Sequence, residues 1–113
     1  CIVICCLDFP YTVGLTTLVE AFALGIPVIC SRNPNFEIDI DKEEIGITVE
    51  YNDVQGWIDA IRYIADHPEE ARRMGNNARK LAEERFNLEI FSREIAESLQ
   101  EISNFSSKNR TFA

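Results

Sequence analysis

The sequence is poor in the residues that build most metal and nucleic-acid sites. Its 113 residues include one histidine, and 19 aspartates and glutamates outnumber 11 lysines and arginines. A formal net charge of -8 leaves no basic surplus for neutralising a phosphate backbone, so we expect no nucleic-acid partner. The four cysteines show no C-x-x-C spacing, and the lone histidine lacks zinc-ligand neighbours. We therefore predict no metal site, with a metal or disulfide role for the cysteines as the minor alternative.

Long apolar runs are missing as well. No stretch reaches the ~20 apolar residues of a membrane span, and the run from Ile2 to Leu7 lacks the basic flank of a signal peptide. Cys1, Cys5, Cys6 and Cys30 lie mostly in or beside apolar runs, which predicts four free, mostly buried thiols. That usage is typical of a reducing cytoplasm, where we expect the protein. A longer form of it could also lie peripherally at the inner membrane face.

Strand and helix signals alternate in the first thirty residues. An apolar strand, Ile2 to Leu7, is followed by a helix pattern from Thr16 to Leu24, a stop at Gly25, and a second strand from Pro27 to Cys30. Such a βαβ unit has parallel strands and a right-handed crossover. The first strand starts at once from Cys1, so we expect the chain to be part of a longer protein.

The second half is dominated by helix patterns. A short third strand spans residues 45–50, and helices are predicted over 54–65, 69–85 and 88–102, with caps at Asp53 and Asn87. Gly75 is a weak point inside the second of these helices. We predict one α/β domain over residues 1–103 and a polar, frayed tail over residues 104–113.

The segment from Pro10 to Glu20 is the candidate binding site. Gly14 permits a turn, and the backbone N–H groups of Leu15, Thr16, Thr17 and Leu18 would point out of an opening helix, which attracts anions. One turn and a half later, Glu20 could accept hydrogen bonds from the vicinal hydroxyls of a sugar. The spacing suits a phosphorylated, ribose-bearing ligand. A plain strand, turn and helix with threonine caps is the alternative.

Three further residues are weaker candidates. His67 lies between two helices without an orienting partner, so we interpret it as a linker residue and not as a general base. Arg32 follows the second strand and could reach a cleft, although a solvated loop cation is the simpler interpretation. The acidic run from residue 37 to 44 has no ligand spacing and is interpreted as solvated.

One longer motif resembles a known family. The run Gly14-Leu-Thr-Thr-Leu-Val-Glu20-Ala-Phe-Ala-Leu-Gly25-Ile-Pro27-Val-Ile is similar to the donor-site signature of GT-B glycosyltransferases, particularly family 4. Three later blocks follow in the order found downstream of that signature: Gly46-Ile-Thr-Val-Glu50, Met74-Gly-Asn-Asn-Ala-Arg79 and Glu84-Arg-Phe86-Asn87. The similarity covers residues 2 to about 102.

The resemblance implies a C-terminal, partial Rossmann-like half-domain with a parallel sheet and flanking helices. Its donor would be a UDP- or GDP-linked sugar, Glu20 would bind the ribose, and the amides of Leu15 to Leu18 would bind the diphosphate. The acceptor would bind a separate N-terminal domain that this chain lacks. Thr12 stands where family 4 usually has a glutamate that touches the donor sugar. The resemblance implies neither a metal nor a further cofactor. If the enzyme belongs to family 4, the resemblance also implies that the anomeric configuration of the transferred sugar is retained.

Two other functions use the same fold class. A sugar-nucleotide epimerase would also place a carboxylate on the ribose, but it needs additional acid and base residues in the cleft. A non-enzymatic, flavodoxin-like regulatory module would need a phosphorylatable aspartate at the end of a strand, for which Asp8 is the candidate.

Overall fold

The computed structural model of the chain describes residues 1–8 and 10–110, and it has an α/β fold. These residues form β1 (Ile2–Ile4), α1 (Leu15–Leu24), β2 (Val28–Ser31), β3 (Gly46–Val49), α2 (Val54–Asp66), α3 (Pro68–Arg85) and α4 (Leu88–Arg110). The predicted element order is confirmed. β1 is shorter than predicted because the backbone of Cys6 bonds to a side chain, Ser31, and not to a neighbouring strand.

The three strands form one parallel sheet in the order β1-β2-β3. Ile2 lies opposite Val28, and Val28 lies opposite Gly46. A Cβ atom at Gly46 would overlap the carbonyl oxygen of Val28, so glycine is required there for close approach. β2, in the centre, is buried along its whole length, which explains why its first three residues are apolar; the fourth, Ser31, is a buried polar residue.

Helices cover both faces of the sheet. Val28 and Cys30 of β2 pack on one side against α1 and α3, with Phe22 of α1 fully buried among them. Ile29 points to the other side, where it packs against Ile64 of α2. This division follows from the alternation of side chains along a strand. The predicted parallel sheet with flanking helices is confirmed.

The predicted stop at Gly25 and the predicted caps at Asp53 and Asn87 are also confirmed. Gly25 ends α1 in the left-handed conformation with φ 67°. The side chain of Asp53 accepts a hydrogen bond from the Gly56 amide at 2.9 Å, and Asn87 accepts one from Ile90 at 3.0 Å. Pro68 starts α3, where its missing N–H has no cost.

Gly75 has a packing role that its position in the sequence did not reveal. A Cβ atom on this residue would overlap the backbone carbonyl oxygen of Gly25. The Arg79 guanidinium, one turn further along α3, donates to the carbonyl oxygen of Ala23 at the end of α1. The helix interior accepts a glycine here because α3 must pass directly against the end of α1.

α4 differs from the prediction at its end. The helix continues beyond Ile102 to Arg110, through most of the stretch that we predicted as a frayed tail. The polar composition of residues 104–110 suggested a tail, but the stretch contains no glycine or proline that would stop a helix. Residues 111–113 lie outside the described residues. Within the described part of the chain, no helix combines the length and apolarity needed to cross a bilayer.

The cysteines are free, as predicted, but the prediction that most are buried is wrong. Cys1 and Cys5 are exposed, Cys6 is partly buried and Cys30 is buried. Cys1 and Cys5 flank β1, in which Val3 is 47% exposed. Burial, followed by the nearby Asp41 carboxylate, raises the pKa of Cys30 to about 12.

We expect Gly75→Ala to lower the free energy of unfolding by about 1–2 kcal/mol, because overlap with the Gly25 carbonyl outweighs the gain in helix propensity. Urea denaturation measures the difference. Asn76→Ala, at an exposed neighbouring position of α3, is the control and should leave stability unchanged or slightly higher. A Gly75→Ala chain as stable as the parent would show that the helices can separate without cost.

Iodoacetamide at pH 8 should modify Cys1 and Cys5 in the folded chain and leave Cys30 unmodified. Cys30 is inaccessible, and its raised pKa leaves almost no thiolate to react. Peptide mass spectrometry measures the modification at each position. In about 8 M urea, which serves as the denaturing control, all four cysteines should react. Equal rates at Cys5 and Cys30 in the folded chain would contradict the buried position of β2.

Candidate functional site

The loop between β1 and α1 is fixed by the end of β2. The Cys6 amide donates to the Oγ of Ser31 at 2.9 Å, and the same hydroxyl donates back to the Cys6 carbonyl oxygen at 3.1 Å. Ser31 is only 5% exposed, so water competes weakly for these bonds. Asn33 adds a bond from its side-chain amide to the Tyr11 carbonyl oxygen at 3.3 Å. The neighbouring strand therefore determines the path of the chain toward α1.

Gly14 is required at the turn into α1 for two reasons. Its φ is 80°, in the left-handed region where side chains are disfavoured. A Cβ atom on it would also lie 2.5 Å from the Cγ2 atom of Ile4. The chain thus passes directly over the end of β1 before the helix begins, as the predicted turn requires.

Three backbone amides, not four, are available at the start of α1. The Leu18 amide donates to the Gly14 carbonyl oxygen at 3.0 Å, and the Leu18 side chain is fully buried. The predicted role of Leu18 in ligand binding is therefore corrected: this residue anchors the helix in the core. Leu15, Thr16 and Thr17 occupy the first turn, where amides have no acceptor within the helix.

The threonines do not cap the helix. Gly14 is the N-cap residue, α1 has no capping bond from a side chain, and its first turn contains no acidic residue. Thr16 and Thr17 lie within the helix and are exposed. The alternative of a threonine-capped turn is excluded, and the positive end of the helix dipole is uncompensated by side chains of that turn.

Glu20 lies beside a groove between α1 and the start of α4. The groove has a volume of about 640 Å³, and besides Glu20 its lining includes Thr16, Arg85, Phe86 and Phe91. Glu20 is exposed, and within residues 1–8 and 10–110 it forms no ion pair. Its carboxylate can therefore accept hydrogen bonds from a ligand in the groove. The groove brings together Leu15, Thr16 and Glu20, three of the predicted residues.

Thr12 lies in the loop just before the turn. Its side chain is exposed, so it is accessible to a ligand, but it carries no charge. At the position where family 4 usually has a glutamate, Thr12 provides one hydroxyl group.

Arg32 is held by carboxylates. Its guanidinium pairs with Glu50 at 2.5 Å and with Asp41 at 3.3 Å. The hydrogen bond that Arg32 donates to Glu50 is the main cause of the raised pKa of Arg32. Asp41 also accepts bonds from the amide and hydroxyl of Thr48. The Arg32 side chain remains half exposed, as its interpretation as a solvated cation predicts, but its charge is paired with two carboxylates.

His67 is the linker residue that we predicted. It occupies the junction between α2 and α3, its ring stacks on Tyr63 with 4.3 Å between centroids, and its Nδ1 lies 2.8 Å from the Tyr63 carbonyl oxygen. In the described part of the chain, no group of three histidine, cysteine, aspartate or glutamate side chains could hold a metal ion.

A second cavity, which we did not predict, opens at the carboxyl ends of β2 and β3. Its volume is about 510 Å³, and its lining includes Asp8, Arg32, Asn33, Phe36 and Tyr51. The apolar residues of the loop after β2, Ile38 and Ile40, are buried beneath it. The sequence signal that could have predicted this cavity is the presence of polar residues directly after β2 and β3, which are neighbouring strands in the sheet. We call this space the β2–β3 cavity.

The chain is similar to a known protein family and to proteins of known activity or structure. The family model described as "Glycosyl transferases group 1" matches residues 13–81. A D-inositol 3-phosphate glycosyltransferase of Saccharomonospora viridis is 34% identical over 70 residues, which are 62% of this chain and 16% of that protein. The sucrose-phosphate synthase structure from Thermosynechococcus elongatus matches with a TM-score of 0.72 and 27% identity, covering 84% of this chain and 23% of that one. The chain thus spans under a quarter of the length of either protein.

We expect Ser31→Ala to loosen the loop before α1, since both hydrogen bonds to Cys6 are lost and two partly buried backbone groups are left unpaired. The loss should be about 1–3 kcal/mol, and hydrogen exchange of the Cys6 amide should become faster. Ser98→Ala removes a similar hydroxyl bond on the exposed surface of α4 and should leave that amide unchanged. Unchanged exchange in Ser31→Ala would mean that the loop is held by other contacts.

Proposed function

Because the chain belongs to the glycosyl transferases group 1 family, we propose that it is the donor-binding region of an enzyme that transfers a sugar from a nucleotide diphosphate to an acceptor hydroxyl. The family match and the similarity to the synthase structure confirm the GT-B type of half-domain that the sequence resemblance implied. The acceptor would bind a further domain, since the chain covers only part of its relatives.

The observation that carries this proposal is the open start of α1. The amides of Leu15, Thr16 and Thr17 need acceptors, and the helix dipole adds a partial positive charge at the same place. A diphosphate supplies both acceptor oxygens and negative charge. The net charge of the chain does not oppose this, because the local field at the helix end decides binding there.

Glu20 is proposed to bind the ribose. It lies on α1 near the open turn and faces the groove beside α4, so a nucleotide whose diphosphate is at the helix start could place its sugar here. Two vicinal hydroxyls can donate to the two carboxylate oxygens. We propose a UDP- or GDP-linked sugar as the donor.

In this proposal the chain contributes electrostatic stabilisation. Negative charge develops on the diphosphate as the bond to the sugar breaks, and amides that already point to that place stabilise it without reorganisation. Such a leaving group needs neither a metal nor a cofactor when helix amides and basic residues from the rest of the enzyme share its charge. We place this activity in the cytoplasm, which the four free cysteines support.

The two alternative functions are not favoured. An epimerase or a flavodoxin-like regulator would share the fold class, but the family match is to glycosyltransferases. Asp8, the candidate of the regulatory alternative, lines the β2–β3 cavity, where it has carboxylates nearby instead of a lysine.

We expect Glu20→Ala to weaken the binding of UDP or GDP by about 1.5–3 kcal/mol, through the loss of hydrogen bonds to a charged group. Titration calorimetry on the 113-residue chain measures the change. Glu101→Ala removes an exposed carboxylate from α4 and serves as the control for net charge. If Glu20→Ala and Glu101→Ala bind with the affinity of the parent chain, Glu20 has no role in ribose binding.

A further inference from the structure

The groove between α1 and α4 extends beyond the proposed position of the ribose. One wall is α1, which contributes Leu15 and Thr16 from the open turn and Glu20 further along the helix. The opposite wall consists of the junction between α3 and α4 and the first turns of α4. The volume of about 640 Å³ is within the range of sites that hold a whole small molecule. A nucleotide with its diphosphate at Leu15 and its ribose at Glu20 would therefore have its base on the α4 side.

Apolar side chains of α4 form much of this second wall. Leu88 is 78% exposed and Phe91 is 62% exposed, although both are large and apolar. They lie one turn apart on the same side of α4, and both line the groove. A flat heterocyclic base can stack on an exposed aromatic ring, and burying the apolar surface of both then favours binding.

Two side chains of opposite charge lie at the same end of the groove. The guanidinium of Arg85 is held 5.3 Å from the centroid of the Phe86 ring. Its distance to the Glu43 carboxylate is 3.9 Å, which is too long for a hydrogen bond, so its N–H groups are available to a ligand. Glu94 lines the groove one turn beyond Phe91, and within residues 1–8 and 10–110 its carboxylate forms no ion pair.

This pair of charges distinguishes guanine from uracil. Guanine has two adjacent acceptors, the carbonyl oxygen and an imidazole nitrogen, which match two N–H groups of a guanidinium. It also has two adjacent donors, the ring N–H and the exocyclic amino group, which match the two oxygens of a carboxylate. Uracil has a single N–H between two carbonyl oxygens. It can therefore satisfy neither Arg85 nor Glu94 with two parallel hydrogen bonds.

We propose that the α4 side of this groove binds guanine, with Phe91 stacking on the base, Arg85 donating to its two adjacent acceptors and Glu94 accepting from its two adjacent donors. The inference rests on the proposed function for the nucleotide, and it selects a GDP-linked donor over a UDP-linked one. The selection depends on the base alone, since the diphosphate and the ribose are the same in both.

Titration calorimetry of the 113-residue chain with GDP, UDP and inosine diphosphate tests the role of Glu94. Inosine diphosphate lacks only the exocyclic amino group of GDP. GDP should bind about tenfold more tightly than either of the other two, because each forms fewer hydrogen bonds to charged groups. Glu94→Gln should bind GDP and inosine diphosphate equally. Glu97→Gln, an exposed position of α4 outside the groove, is the matched control and should keep the preference for GDP.

The stacking role of Phe91 is tested on the same chain with GDP and with pyrophosphate. Phe91→Ala should weaken the binding of GDP about tenfold, because a stacked base is lost, and should leave the binding of pyrophosphate unchanged. Phe105→Ala removes an aromatic ring that is 70% exposed on α4 outside the groove, and it should bind GDP like the parent. Equal urea midpoints of the two variants would show that both remain folded.

The outcomes separate this inference from the proposed function. Equal affinities of the parent for GDP, UDP and pyrophosphate would overturn the guanine site and retain the diphosphate site at α1. Tighter binding of UDP than of GDP would overturn the guanine site as well. In an NMR titration, guanosine should shift the amides of Phe91 and Glu94, and uridine should not. Guanosine binding without pyrophosphate binding would retain the guanine site and overturn the diphosphate site, and binding of neither would overturn both.

Discussion

The two hydrogen bonds between Ser31 and the backbone of Cys6 determine where the candidate site lies. The pairing of β1 with β2 ends at Ile4, and beyond it these two bonds hold the chain as it turns toward Gly14. Gly14 then crosses the end of β1 at a distance that only glycine permits, and the first three amides of α1 have no acceptor within the helix. Anion attraction at this helix start is thus a consequence of how the first two strands are joined.

The same central strand organises both sides of the molecule. Alternate residues of β2 pack on α1 and α3 on one face and on α2 on the other, so the sheet is covered twice. α3 approaches the end of α1 so closely that Gly75 lies against the Gly25 carbonyl. This contact fixes α1 from behind, which leaves its first turn and the Glu20 side facing outward.

Charge is distributed unevenly around the carboxyl edge of the sheet. At the start of α1 the backbone supplies positive potential without a basic side chain. At the ends of β2 and β3 the one guanidinium is neutralised by two carboxylates, and additional acids surround it. Neighbouring places at one edge therefore differ in electrostatic character, with positive potential at the helix start and a surplus of carboxylates at the strand ends.

The sequence by itself determined the local structure: apolar runs for the strands, Gly25 and Asn87 for helix ends, Gly14 for the turn, and the motif that identifies the family. These features act over a few residues, so their pattern can be interpreted directly. Only the tertiary structure decided that Arg32 is paired with Glu50, that Cys5 is exposed and that the buried Tyr51 hydroxyl has no hydrogen-bond partner among the described residues. Each of these depends on residues distant in sequence that meet across the sheet, and spacing along the chain does not record such contacts.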